Sequence, residues 1–457
     1  MTRQTRPDRF GRPPYGNGSS QPRRTSGLGH PDVDWVRGPR RSNGRQDSRL
    51  ARPDRRRLAV RRSVAGAAVL AVLAVVVGVP AVNLMSPSPR PAVLVATVHP
   101  DLAATRSVPS SPVSLPWPAT GEAAVAIPTV GYATQSGSEQ PVPIASMTKV
   151  MTAYIVLRDH PLTGDQSGPD ITITPADAAD YATDTVTDQS SVEVTAGEVL
   201  TERQMIDAML VHSANDLAYA LACWDAGSLG AFVAKMNATA AALGMTQTHY
   251  ADASGFTPQS VSTAADLLKV TTVAMEEPAF AQAVSMPSYT VPVAGTVATY
   301  TPLLQGSTGG VPGVVGVKSG FTTAAGGGDI LAYESSVDGR SVEALAVVTS
   351  QQGPNVLQRC GEIDLGLAQA ALAAVEAVQP LSAGDRVATV GLGHRHVPGG
   401  VASAGSVLAM PGQQVTETLV VTHRPKLGAR AGFSVGTVLL TLGQQQVALP
   451  VRTSERL

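Results

Sequence analysis

Pro143-Ile-Ala-Ser146-Met-Thr-Lys149-Val-Met-Thr-Ala-Tyr154 decides how this chain is read. From Ile144 to Leu157 the sequence is apolar, rich in Met and free of Gly and Pro, which predicts a largely buried helix. Positions three apart share a helix face, so the Lys149 amine can reach the Ser146 hydroxyl. An alcohol is a poor nucleophile at neutral pH. An amine whose proton affinity is lowered by burial and by a second cation can take its proton. Any Ser and Lys one turn apart could equally be solvated surface; the apolar residues between Ile144 and Ile155 argue against that here.

Downstream, Thr201-Glu-Arg-Gln204 matches a capping box ahead of Met205, Ile206, Met209 and Leu210, so a second helix begins there and ends at His212-Ser213. Ser213-Ala-Asn215 then sets a hydroxyl and an amide at a break between helices. Such groups can relay a proton to a leaving amine and hold a substrate amide, or they can simply cap the next helix. Helices are expected over about 216–226 and 229–243, with Gly227 and Gly244 as terminators. Val311–Gly320 is β-branched, punctuated by Gly, and carries Lys318-Ser319-Gly320. Its cation and hydroxyl could grip a carboxylate, with Gly320 letting a peptide lie along the strand edge. The bland alternative is an edge lysine that discourages aggregation. Ile330–Ser335 and Val342–Thr349 flank Asp338-Gly339, a hairpin dipeptide, and with the lysine strand give three antiparallel strands. A helix near 361–378 follows.

The chain has five Lys, two of them in these settings, and no second S-x-x-K, S-x-N or K-[ST]-G occurs. The three patterns in this order are those of serine penicillin-recognising enzymes. The blocks PIASMTKVMTAY (143–154), LTERQMIDAMLVHSAND (200–216), DASGFTPQSVSTAADL (252–267) and GVKSGFTTAAG (316–326) resemble the D-alanyl-D-alanine carboxypeptidases of the low-molecular-mass penicillin-binding protein family. The resemblance covers about residues 123–378. It implies an α/β (α+β) fold of the penicillin-binding-protein/β-lactamase-like transpeptidase type: an antiparallel sheet flanked by helices, an all-helical subdomain, and the serine helix between them. It also implies Ser146 as nucleophile, Lys149 as its base, Ser213 as proton relay and Asn215 as substrate holder. Lys318 and Ser319, with Gly320 beside them, would grip the substrate carboxylate, and the backbone N–H groups of Ser146 and Phe321 would form the oxyanion hole. The implied ligands are peptidoglycan stem peptides ending in D-Ala-D-Ala and β-lactam antibiotics, with no cofactor and no metal. The family usually has Thr where Ser319 stands; the hydroxyl survives. Arg359 is the nearest candidate for a further cation at the terminal carboxylate.

The rest of the chain sets where such a domain would work. A length of 457 residues predicts two folded domains and an unstructured portion. Residues 1–62 hold seventeen Arg, no Lys and five Asp, although the whole chain carries a net charge of only −1. With little aliphatic content this tail is expected to be disordered. Val64–Val82 is uncharged and long enough for a bilayer helix, so a transmembrane anchor over 63–84 is expected, a cleaved signal peptide being the alternative. The Arg excess before it keeps the tail cytoplasmic and everything after it outside. A topology signal explains the tail without a nucleic-acid partner. Residues 85–120, rich in Pro, Ser and Ala, read as a linker, 121–378 as the catalytic domain, and 379–457 as a small C-terminal β domain of short Val/Leu runs between turns. Cys223 and Cys360 read as two solitary thiols, although an exterior location permits a disulfide.

Two patterns mislead. Gly432-Phe-Ser434-Val-Gly436 spells a nucleophile elbow, but a strand-like run follows where that motif needs a helix. His212 is next to Ser213, yet neighbours on a helix point about 100° apart. Among competing functions, a serine β-lactamase is disfavoured because no Glu lies between Asn215 and Met275 to activate a deacylating water. An inactive peptidoglycan-binding protein is disfavoured because it has no need of Ser146 and both lysines.

Overall fold

The computed structural model describes residues 96–457. The Arg-rich tail (1–62), the 63–84 span and residues 85–95 of the expected linker lie outside the described residues. Five strands form a central antiparallel sheet in the order Val314–Thr322, Gly326–Val337, Arg340–Gln351, Glu122–Ile127 and Tyr132–Ser136. Every residue of Glu122–Ile127 is buried, as expected of a strand covered on both faces. Alternation along it sorts Ala124 and Ala126 into one core and Ala123, Val125 and Ile127 into another. Asp338 (φ 51) and Gly339 (φ 74) close the central hairpin, both left-handed as a tight two-residue turn between twisted strands requires.

Seven helices lie between Tyr132–Ser136 and Val314–Thr322: α1 Lys149–Asp159, α2 Pro175–Val186, α3 Glu202–Val211, α4 Asn215–Ala226, α5 Leu229–Ala242, α6 Ala264–Met275 and α7 Pro278–Val284. Their buried residues share one core with the Ala124 face of the sheet. The eighth, α8 Val356–Ala373, covers the opposite face through Cys360, Leu367, Ala368 and Ala371. This is the expected mixed architecture of antiparallel sheet, flanking helices and helical subdomain. The box at Thr201 forms: the Gln204 N–H donates to Thr201 Oγ1 at 3.2 Å and the Thr201 N–H to Gln204 Oε1 at 2.8 Å. α4 ends at Gly227 (φ 77).

Two expectations need correction. The helix expected over 361–378 runs from Val356 to Ala373. Gly361 lies inside it at a close approach, where a Cβ would stand 2.8 Å from Pro302. At the other end, Glu376–Leu381 leaves the helix to pair with Gly405–Ala409, so the 378/379 domain boundary falls inside a strand.

The second correction concerns the 85–120 linker. Thr97–Pro100 and Thr105–Ser107 are the two outer strands of a seven-stranded sheet otherwise built from the C-terminal region. The order is Thr97–Pro100, Arg386–Leu392, Arg395–Val401, Gln445–Thr453, Ser434–Leu442, Gln414–Val421 and Thr105–Ser107. Edge strands of four and three residues, mostly exposed, leave no alternating apolar pattern to read. Arg106 nevertheless pairs with Glu417 at 2.6 Å, the Glu417 side chain being fully buried. Beyond them, Val113, Leu115 and Trp117 pack on the α8 side of the central sheet.

The β-rich part is seated against the central sheet. Gly443 meets Gly131 so closely that a Cβ would lie 2.3 Å from the Gly131 nitrogen, and the Gln444 N–H donates to Thr129 O at 3.1 Å. Ser434 opens a strand, so no nucleophile elbow forms. Cys223 is exposed, Cys360 buried, and both are free thiols. Among the described residues no single helix is long and apolar enough to cross a membrane.

Candidate active site

The expected serine helix begins with a tighter turn. Ala145–Thr148 is 3-10 helix, and α1 starts at Lys149. Side chains at i and i+3 eclipse in such a turn, which stacks Lys149 directly under Ser146. Ala145 takes φ 46, and its carbonyl turns against Gly255 (φ 82), where a Cβ would lie 1.7 Å from the Ala145 oxygen. No residue but glycine fits there.

Lys149 is fully buried, and its Nζ has three oxygen neighbours: Ser146 Oγ at 3.0 Å, Asn215 Oδ1 at 2.5 Å and Ser254 O at 2.9 Å. Burial first, and the charge of Lys318 second, hold its proton affinity well below that of an ordinary lysine. Asp252, Asp184 and Asp216 pull the other way. A neutral amine has two N–H donors and one lone pair. Asn215 Oδ1 and Ser254 O cannot donate, so they take both protons. Lys149 Nζ lies 3.0 Å from Ser146 Oγ, and once the amine is neutral its lone pair is what the Ser146 hydroxyl would meet.

Asn215 opens α4, but it does not cap it: the N-cap is Ala214, without a side-chain cap bond. Its amide is used on both sides, Oδ1 toward Lys149 and Nδ2 donating to Gln189 Oε1 at 2.7 Å. Ser213, at the break before it, is buried in a left-handed conformation (φ 60). His212 caps α3, bonds Ala298 O through Nδ1 at 2.9 Å and stacks on Tyr300, which leaves Ser213 alone.

Lys318 is fully buried, which disposes of the exposed edge lysine. Burial brings it down to about 8, with the Asp329 carboxylate resisting the shift. Its Nζ donates to Ser319 O at 3.0 Å. The Ser319 hydroxyl donates to Tyr300 O at 2.8 Å, so a ligand carboxylate must draw that proton away. Gly320 backs onto the serine turn: a Cβ there would lie 2.8 Å from the Ser146 nitrogen and 3.2 Å from that of Met147. The glycine keeps the Ser146 N–H open to a ligand. Phe321 lines, with Ser146, Gln189, Ser190, Asn215 and Phe256, a cleft of about 340 Å³. Arg359 does not line it and donates to Gln352 O.

The structure thus gathers Ser146, Asn215 and Phe321 along one cleft, with Lys149 buried beneath Ser146 and Lys318, Ser319 and Gly320 on the flanking strand, whereas Ser213 does not line the cleft. Sequence reasoning missed Gln189 and the Ser254 carbonyl, which orient Asn215 and Lys149. Ser254 lies inside the 252–267 block, so a signal existed for it; Gln189 sits in a polar loop with none.

The sequence profile of the D-alanyl-D-alanine carboxypeptidase family matches residues 130–349. The chain is 36% identical over 198 residues to the D-alanyl-D-alanine carboxypeptidase DacB2 of Mycobacterium tuberculosis, covering 42% of this chain and 62% of that protein, less than two thirds of its length. It is 30% identical over 227 residues to a D-alanyl-D-alanine carboxypeptidase of Streptomyces sp., covering 44% of this chain and 76% of that one. In fold it is similar to penicillin binding protein 5 from Haemophilus influenzae, with TM-score 0.53, 19% identity and coverage of 76% of this chain and 99% of the other.

Proposed function

We propose that this chain, which belongs to the D-alanyl-D-alanine carboxypeptidase family, removes the terminal D-alanine from peptidoglycan stem peptides through an acyl-enzyme on Ser146. The observation that carries this reading is the hydrogen-bond account of Lys149, in which two fixed acceptors leave the lone pair for the Ser146 hydroxyl. Lys149 takes that proton as Ser146 Oγ attacks the carbonyl carbon of the penultimate D-alanine. The backbone N–H groups of Ser146 and Phe321 stabilise the oxyanion. As the C–N bond breaks, the proton passes from Lys149 by way of Ser213 to the leaving amine. Lys318 and Ser319 hold the carboxylate of the departing D-alanine, and Asn215 the amide of the acyl part. Water, deprotonated by Lys149, then hydrolyses the ester.

β-Lactams acylate the same serine, because attack needs only nucleophile, base and oxyanion hole. The opened ring stays tethered, and no Glu between Asn215 and Met275 is present to drive water past it. Incubation with a D-Ala-D-Ala pentapeptide should release D-alanine, and a penicillin pulse should leave a long-lived adduct on the peptide containing Ser146 by mass spectrometry. Absence of both would leave a binding protein; rapid turnover of the drug would leave a β-lactamase.

The site of action we propose is extracytoplasmic, with Val64–Val82 as a single membrane anchor and residues 1–62 inside. The Arg excess before the span supports it. Protease added to wall-stripped cells should spare an N-terminal tag and digest a C-terminal one; the reverse pattern sinks the topology.

A further inference from the structure

Asn215 opens α4 at the cleft, and Lys318 and Ser319 lie on the strand Val314–Thr322 that flanks it. One segment, Ala298–Thr301, bridges from the end of α3 to that strand, and no residue of it takes part in the reaction above. His212, where α3 ends, has its Nδ1 2.9 Å from Ala298 O. A carbonyl only accepts, so Nδ1 carries the proton and His212 donates. Nε2 of the neutral ring then faces the Tyr300 hydroxyl at 3.4 Å, and the two rings stack with centroids 4.7 Å apart and planes 32° from parallel. Tyr300 is 46% exposed. That leaves it little packing of its own, and His212 is the group it rests on. Its carbonyl points the other way and accepts from the Ser319 hydroxyl at 2.8 Å. Thr299 Oγ1 accepts the Thr301 N–H at 3.1 Å, and Thr301 is buried, which anchors the residue that follows.

We propose that His212 is a positioning residue for the substrate-carboxylate subsite, fixing through Ala298 and Tyr300 the carbonyl that orients the Ser319 hydroxyl. This rests on the reading of Ser319 as a carboxylate donor given above. A serine side chain left to itself samples three staggered positions. A fixed acceptor at 2.8 Å selects one of them before the ligand arrives, so less freedom is lost on binding. His212 acts on binding and not on bond breaking: Lys149 Nζ has Ser146, Asn215 and Ser254 as neighbours, and His212 is not among them. Its place beside Ser213 in sequence is incidental, since the ring turns to Ala298.

Steady-state release of D-alanine by the full chain from a pentapeptide ending in D-Ala-D-Ala tests this. His212→Ala should raise KM about three- to tenfold, the effect of one neutral hydrogen bond, with kcat changed far less. His212→Asn should recover most of the loss, because the Asn amide nitrogen stands where Nδ1 does and can donate to Ala298 O. Action through Ser319 also fixes the outcome of a double-mutant cycle: in a Ser319→Ala background, His212→Ala should add little to KM. Additive effects overturn the proposal, as does a loss confined to kcat. Should His212→Ala fail to fold, His212→Phe, which keeps a ring against Tyr300 and removes the donor, carries the same cycle. A wild type that releases no D-alanine removes the peptidase reading instead. The cycle is then read on calorimetric affinity for the same peptide, where additivity is equally fatal, and a chain that does not bind the peptide loses the proposal as well.

Discussion

Lys318 and Lys149 are both fully buried, and after burial itself the charge of Lys318 is what lowers the proton affinity of Lys149. One lysine is thereby suited to stay charged and the other to stay neutral. This division makes a base out of a residue that is otherwise an acid at neutral pH.

Activity should therefore fall on acidification as Lys149 protonates, and Lys149→Ala should lower acylation about 10²–10⁴-fold, the usual worth of a positioned base. Stability follows with a definite sign. Between the lowered folded value and the ordinary one, about 10.4, the unfolded chain binds more protons, so stability rises with pH. Lys149→Met should flatten the part of that slope which Lys149 contributes, read as denaturation midpoints from neutral to alkaline pH. A slope unchanged by the substitution would show Lys149 charged in the folded protein.

Ser319→Thr should be tolerated, because it keeps the hydroxyl that donates to Tyr300 O. Ser319→Ala removes both that tether and a donor for the carboxylate, so KM for a peptide should rise. Equal activity of the Ala variant would discard the carboxylate-grip role.

Thr201→Ala should cost about 1 kcal/mol by opening the α3 capping box, which at this size is about 1–2 °C in Tm. The active-site groups on α4 should be untouched, so D-alanine release near room temperature should hold. A loss of activity without a loss of stability would contradict this.

Arg106→Ala should destabilise by about 1 kcal/mol, at the low end for a charged hydrogen bond because Arg106 is half exposed. The reason is the Glu417 carboxylate it leaves buried. Arg386→Ala, whose partner Asp101 is itself partly exposed, should cost less. Urea midpoints compare the two directly, and the reverse ranking refutes the argument.

The candidate site residues stood out in the sequence because their signals are local. Ser146 and Lys149 are three positions apart, Ser213 and Asn215 two, and Thr201 with Gln204 is a complete cap within four residues. The hairpin at Asp338-Gly339 was equally visible. What was not legible depends on partners far along the chain. Thr97–Pro100 finds its neighbour at Arg386–Leu392, and no apolar alternation marks it. The helix expected over 361–378 runs from Val356 to Ala373, and no side-chain cap at either end marks its bounds in the sequence.

The outer strands of the seven-stranded sheet have a consequence for how the molecule is made. Thr97–Pro100 and Thr105–Ser107 are synthesised before the catalytic domain, and their partners Arg386–Leu392 and Gln414–Val421 only after it. The catalytic domain is thus a long insertion inside a β domain, and the first strands must wait, unpaired, until nearly the whole polypeptide has emerged. A fragment starting at residue 121 would keep every candidate site residue and still expose both flanks of that sheet, inviting strand exchange between copies.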